Sequence, residues 1–159
     1  MPLEIILISL RYKLTELKKT EQEKYKVKFR VISDYSLLVN YFREMKKSVK
    51  RHHYKRLLSG DVYYCLSSEN HMVCSGWSSS RNLHLSEIEK TLNIEGNYVL
   101  YDFFTPLEFR NNGYYKLILQ NILFHLQSDA YIYTLKSNKV SNKAIQNVGF
   151  KKTNIYNFE

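Results

Sequence analysis

The sequence predicts an α/β (α+β) fold in one domain spanning residues 1–159, on three observations. At 159 residues with a 44% hydrophobic fraction, the chain can bury one core and is too short for two ordinary domains. Apolar patterns of strand and helix period follow one another as βααββ and then β, α, β, α, β. One strand–helix junction, "FRNNGYYKLIL" from Phe109 to Leu119, carries a glycine in a chain that has only five.

Taken in order, residues 3–17 place apolar side chains at 3, 6, 7, 10, 14 and 17, which is helix spacing. Extra ones at 5 and 8 make the first half equally readable as a buried strand, so residues 1–25 form an N-terminal extension, helix or edge strand. The polar stretch 18–26 reads as a solvated break. Val27, Phe29 and Val31 then alternate with Lys26, Lys28 and Arg30, a strand with one wet face. Ser33 and Asp34 suit the N-cap of an amphipathic helix over 35–45. A second, basic helix follows at roughly 46–58 and ends at "SGD".

The stretch "DVYYCLSSENHMVCSGW" reads as a hairpin, two apolar strands about the turn signal "SSEN". With the turn centred on Glu69 and Asn70, Cys65 and Cys74 fall opposite each other, as small buried hydrophobes or as a thiol pair. A short helix is predicted over 84–92, with Ser86 or a neighbour as its cap. Residues 97–105, "NYVLYDFFT", form a long strand apolar enough to be central. The helix 113–127 sets Leu117, Ile118, Asn121, Ile122 and Leu126 along its length, and 130–135 is a strand. A helix over 141–148 stops at Gly149, which suits a left-handed C-terminal cap, and "FKKTNIYNF" closes as a strand.

Composition narrows the functions. A formal charge of +9 and a pI near 9.4 suit a polyanion, an anionic cofactor or an acidic membrane face, and equally follow from coding bias in an AT-rich genome. No apolar run reaches bilayer length, and "LEIILISL" lacks the flanks of a secretory leader, so a cytoplasmic protein is expected. Two cysteines make no disulfide framework, and the five histidines have no ligand spacing, so no metal is expected.

The junction at Gly113 carries the chemistry. A helix N-terminus leaves backbone N–H groups unpaired and partly positive, and a preceding turn can aim more of them at the same point. Such a turn binds a pyrophosphate without a dedicated side chain. Gly113 permits close backbone approach, and Arg110 adds a permanent cation at the rim.

The segment "LYDFFTPLEFRNNGYYKLIL", followed by "NKVSNKAIQNVGF", resembles the GNAT superfamily of acyl-CoA-dependent N-acyltransferases. In that family a strand and a Pro-containing turn lead to Arg/Gln-x-x-Gly-x-Gly/Ala, and an Asn-x-x-Ser/Ala helix ending in Gly-Phe comes about thirty residues later. Asn138, Ser141, Gly149 and Phe150 fit the second motif, and "RLLSGD" through Gly76-Trp77 is similar to the family's hairpin. The proline stands one residue early, at Pro106, and Tyr115 replaces the second small residue of the loop. Ile145 stands where many members place the tyrosine that reprotonates the CoA thiolate.

The resemblance implies a mixed, mostly antiparallel sheet flanked by helices and splayed between its two central strands, 97–105 and 130–135. It implies an acetyl-CoA site built from Phe103, Phe104, Thr105, Arg110, Asn111, Asn112, Gly113, Tyr114, Tyr115, Asn138 and Ser141. An amide near Phe103 or Phe104 would stabilise the oxyanion. Tyr101, Glu95 and Asp102 are the candidate catalytic residues. Strand alternation puts Asn97, Val99, Tyr101, Phe103 and Thr105 on one face, with Asp102 and Phe104 on the other. Many members add a strand beyond the Gly-Phe strand, and here the N-terminal stretch 3–12 or a second subunit is expected to cover that edge.

The expected activity is transfer of an acetyl group from acetyl-CoA to a small amine, such as an amino sugar or nucleotide-linked amino sugar of a surface polysaccharide, by a monomer or homodimer. The basic run "KKSVKRHHYKR" (46–56) then lines the acceptor side, or is a solvated helix face. Two alternatives stand beside it: a basic RNA- or DNA-binding protein on the same scaffold with altered catalysis, and a protein N-acetyltransferase.

Overall fold

In the computed structural model, residues 4–10, 25–85, 90–92, 94 and 97–157 are described. Seven strands form one sheet in the order β2-β3-β4-β7-β8-β1-β9. They are β1 (Glu4–Leu10), β2 (Lys28–Ile32), β3 (Val62–Ser68), β4 (His71–Ser79), β7 (Tyr98–Phe104), β8 (Ala130–Leu135) and β9 (Lys151–Asn157). Only β7 and β8 run parallel; the other neighbours are antiparallel.

Helices α1 (Tyr35–Glu44) and α2 (Arg51–Leu58) cover one face. Asp34 caps α1 by accepting from the amides of Ser36 at 2.8 Å and Leu37 at 3.3 Å, and Leu38, Tyr41 and Phe42 recur on its buried side. Lys46 to Lys50 lie outside α2, so the basic segment enters its helix only at Arg51. Helices α3 (Tyr114–Leu126) and α4 (Lys139–Val148) cover the opposite face. Nearly the whole length of α3 is packed, with Leu117, Ile118, Leu119, Ile122 and Leu123 buried. Asn138 caps α4 through its side chain, and Gly149 (φ 112°) ends it in the left-handed region, as its position in the sequence requires.

The alternation of β3 divides the core. Tyr64 and Leu66 join the α3 cluster, whereas Tyr63 and Cys65 join the α1–α2 cluster. The hairpin turn falls at Glu69 and Asn70, but the register shifts between Leu66 and Ser67, so Cys65 faces Ser75 and Leu66 faces Cys74. Val73 and Cys74 therefore both enter the α3 cluster. The cysteines are not opposite each other, contrary to the expectation from an unbroken ladder; they lie on opposite faces of the sheet.

Two further expectations change. The ends of the helix expected over 84–92 are instead short strands, β5 (Leu83–Leu85) and β6 (Lys90–Leu92), paired as a separate two-stranded sheet; Ser86 lies outside the described residues. Glu4–Leu10 is a strand, yet not an edge strand. It sits between β8 and β9, antiparallel to both, so the N-terminal stretch completes the sheet from inside.

Candidate functional site

The sheet opens between its central parallel strands. β7 and β8 pair only at Tyr98↔Ala130, Val99↔Tyr131 and Leu100↔Ile132. Beyond that point β7 stays with β4 as far as Phe104↔Ser75, and β8 stays with β1 as far as Leu135↔Ile5. The C-terminal halves of the two strands thus part, each held by its outer neighbour. Because the strands are parallel, the chain leaves both at the open end, and α3 and α4 both begin there.

From β7 the chain passes Pro106 into a 3-10 turn, Leu107–Phe109, closed by the Phe109 amide on the Pro106 carbonyl at 2.9 Å. Asn111 (φ 61°) and Gly113 (φ 80°) take left-handed conformations, and Asn112 ties the turn by donating to the carbonyls of Phe109 and Arg110. Gly113 accepts from Leu117 at 3.1 Å. The amides of Tyr114, Tyr115 and Lys116 meet no backbone acceptor among the described residues, leaving three donors at the positive end of α3. Arg110 bends back, its Nε donating to the Thr105 carbonyl at 3.0 Å.

Tyr25 closes this turn from the other side, a residue the sequence did not single out. Its hydroxyl lies 3.0 Å from where a Cβ on Gly113 would stand, and its ring packs on Tyr114. A side chain at 113 would therefore press on that hydroxyl, besides being strained at the glycine's positive φ.

Across the cleft, Asn138 spends its side-chain oxygen on the Ser141 amide at 3.2 Å, so both residues are placed at the start of α4 by capping. Ile145 is fully buried in the α3 cluster.

A bulge sits in β7 beside the opening. Tyr101 pairs with Trp77 and Phe104 with Ser75, so Asp102 and Phe103 together face Gly76, and Asp102 takes φ 52°. This overturns the facing expected from strict alternation. Tyr101 and Asp102 both lie on the α1–α2 side: Tyr101 stacks on Trp77, and Asp102 pairs with Arg56 at 2.5 Å. Phe103 turns the other way, onto Tyr115 and against Gly76. Thr105 donates its hydroxyl to the Cys74 sulfur at 3.3 Å, while Phe104 is half exposed. Burial raises the Tyr115 phenol pKa well above its ordinary value.

Asp61, Arg81, Arg56, Trp77 and His53 complete this side of the bulge. Asp61 follows Gly60 (φ 89°) at the end of α2 and is buried. Arg81 grips its carboxylate through Nε and NH2 at 2.9–3.1 Å, and the Tyr101 hydroxyl donates to it at 2.5 Å. Burial first, and then that hydrogen bond, hold the Tyr101 phenol well above its usual pKa. The Arg56 guanidinium lies 5.2 Å from the Trp77 ring centre and 5.1 Å from that of Tyr101.

His53 stacks on Trp77, and its Nδ1 accepts from the Lys50 amide at 2.9 Å, which puts the proton of the neutral ring on Nε2. Burial, followed by the positive charge of His52, Arg56 and Lys50, lowers its pKa to about 4. Arg56, Asp61 and Trp77 fall within the hairpin likeness and His53 within the basic run, but nothing in the sequence brings these residues together or singles out Arg81. The one available signal was Gly76 inside a strand pattern, which marks a bulge.

Of the sequence-predicted residues, Glu95 lies outside the described ones. Phe103 to Thr105 and Arg110 to Tyr115 come together at the mouth, whereas Tyr101 and Asp102 meet on the α1–α2 side of the bulge. Among the described residues, no three His, Cys, Asp or Glu side chains gather as a metal site, and no helix is long and apolar enough to cross a membrane.

By sequence, the chain matches no described protein family and no curated protein. By structure it is similar to a protein assigned to the GNAT acetyltransferases from Novosphingobium aromaticivorans, with a TM-score of 0.64 and 7% identity over 99% of this chain and 63% of that one. The chain thus spans less than two thirds of that relative. It is similar to an assigned acetyltransferase from Clostridium acetobutylicum solved with acetyl-CoA, with a TM-score of 0.52, 15% identity, and 80% and 92% of the two chains covered. It is also similar to AAC(6')-Iy, solved with the bisubstrate analogue CoA-S-monomethyl-acetylneamine, with a TM-score of 0.59, 16% identity, and 84% and 96% covered. With its central strands parted beside a glycine-led helix, the chain has the fold of the GNAT superfamily.

Proposed function

We propose that the protein is an acetyl-CoA-dependent N-acetyltransferase acting on a small amine. The observation that carries this reading is the parting of β7 and β8 after Leu100 and Ile132, next to the unpaired amides at the start of α3. The residues present fit the co-substrate: Gly113 holds the left-handed turn that leads into α3, and the donors beside it are the backbone amides of Tyr114, Tyr115 and Lys116, with the Arg110 cation at the rim.

In this reading, Asn111 to Lys116 hold the pyrophosphate. The unpaired side of β7 from Phe103 to Thr105 pairs with the pantetheine amides, and Asn138 and Ser141 line the opposite wall. Holding thioester and amine together replaces a bimolecular encounter by a positioned one. The amide of Phe103 or Phe104 at the bulge stabilises the oxyanion.

The acceptor ammonium gives one proton to a base before its nitrogen attacks the thioester carbonyl. As the carbon–sulfur bond breaks, the second proton passes to the departing thiolate, which Ile145 has no means to protonate. Asp102 stands beside the bulge as the candidate for taking the first proton, Tyr101, which keeps its own proton on Asp61, as a candidate for orienting the amine, and Glu95 is kept as a candidate acting through water. An amino-sugar acceptor rests on the sequence resemblance alone. Use of acetyl-CoA implies a cytoplasmic protein.

Calorimetry with acetyl-CoA tests the cofactor cradle. Micromolar affinity that collapses in Gly113→Glu is expected, followed by thiol release with amine acceptors. Absence of acetyl-CoA affinity, with salt-sensitive RNA binding instead, would refute the proposal.

A further inference from the structure

Within that transferase reading, we propose that the acceptor is a free α-amino acid, its carboxylate taken by Arg56 and its ammonium by Asp102 and Tyr101. The two charged side chains form a contact pair at 2.5 Å, with Arg56 26% and Asp102 53% exposed. A pair this open to water contributes little to stability. It does place one positive and one negative group side by side, next to the bulge. An α-amino acid carries the complementary pair on a single carbon. Its entry exchanges one ion pair for two and leaves the net charge of the site unchanged.

The local chemistry favours a carboxylate over other anchors. Asp102 already meets one arm of the Arg56 guanidinium with a carboxylate oxygen, so it is a stand-in that an acceptor carboxylate displaces. The guanidinium lies over the stacked Trp77 and Tyr101 rings, so it is oriented before anything binds. Once released, Asp102 is free to face the ammonium.

Tyr101 fits the same role. Its one proton is committed to Asp61, which Arg81 fixes in turn, so the phenol oxygen offers the site an acceptor and no donor. An acceptor is what an ammonium requires. Asp102 is itself the bulge residue, so a nitrogen held there lies close to the amides assigned to the oxyanion.

The surrounding charge disfavours one class of competitor. Arg56 and Lys50 stand with His52 and His53 around Asp102, which is the exposed carboxylate of this cluster among the described residues. That field repels a polycationic amine and attracts a molecule with an anionic group.

The test uses the full chain and acceptors that share a side chain but differ at the carboxyl group: an amino acid, its amide and its decarboxylated amine. Thiol release with saturating acetyl-CoA should favour the acid in kcat/KM by about 10-fold or more, the size of a lost charged hydrogen bond. Arg56→Gln should bring that ratio near one, mainly by raising KM for the acid, and Arg56→Lys should retain part of it. Thermal unfolding of each variant checks folding.

Equal turnover of acid, amide and amine, or a loss in Arg56→Gln common to all three, would overturn the assignment. A preference for phosphorylated amines or unmodified amino sugars would overturn it as well. Calorimetry of the amino acid without acetyl-CoA separates the two readings. Arg56-dependent binding in a protein that ignores acetyl-CoA would leave this site standing and remove the transferase; acetyl-CoA binding without amino-acid binding would do the reverse.

Discussion

Replacing Gly76 with alanine would put a Cβ 2.3–2.8 Å from three carbons of the Phe103 ring, closer than any unstrained contact. The ring has little room to retreat, because its other side packs on Tyr115 at a centroid distance of 5.3 Å. Gly76 also stands opposite the bulge that turns Phe103 toward α3, so relief by backbone movement would disturb Asp102 and its neighbours. Overpacking of this kind costs about 1–3 kcal/mol. At about 2–4 °C per kcal/mol for a chain of this size, the melting temperature should fall by about 2–12 °C. Denaturant unfolding of Gly76→Ala, Phe103→Ala and the double variant closes a mutant cycle. The prediction is a favourable coupling of at least about 0.5 kcal/mol, since the smaller side chain at 103 makes room for the new methyl. If Gly76→Ala unfolds within about 0.5 kcal/mol of the parent, the assigned packing of the bulge is wrong.

Three other outcomes are expected. Asp61→Ala strands the Tyr101 hydroxyl and the half-exposed Arg81, and should lower the unfolding free energy by about 1–3 kcal/mol in urea titration. The His53 pKa is depressed to about 4 in the fold, so its contribution is present above about pH 6.5 and is lost as pH falls toward 4. Stability should therefore rise as pH increases across that window, and His53→Asn, which keeps an acceptor for the Lys50 amide, should flatten the slope. Burial pushes the Cys65 and Cys74 thiols to about 12 and 11. Neither should react with a thiol reagent at neutral pH in the native protein, both should react in denaturant, and no mutual disulfide should form across the sheet.

Elements whose cause is local were readable from the sequence. Asp34, Asn138 and Gly149 cap their helices where residue type and position predict. The turn at Glu69 and Asn70, the strand 130–135 and the helix after Gly113 follow from short-range pattern. What strand alternation could not supply was the two register shifts near the site, because a bulge is a property of paired strands. One of them separated Cys65 from Cys74, and the other put Asp102 on the same side as Tyr101. The 84–92 segment has apolar residues that suit a helix or two short strands, and pairing decided between them. Of the candidate site, the turn at Gly113 was legible because a glycine and a helix start are local features. The Asp61–Tyr101–Arg81 contacts were not, since they join residues 20 and 40 positions apart.

The placement of β1 has a consequence for how the chain may be cut and rejoined. Glu4 lies opposite Asn157 in an antiparallel pair, so the start of one strand adjoins the finish of the other. A few turn residues bridging them would make an ordinary hairpin, and the backbone could be reopened in the exposed segment from Lys46 to Ser48. In such a circular permutant, a contact that now spans almost the entire polypeptide becomes local. Closure of that half of the sheet would no longer wait for the last segment to be synthesised, and refolding should be faster with the cleft between β7 and β8 unaltered.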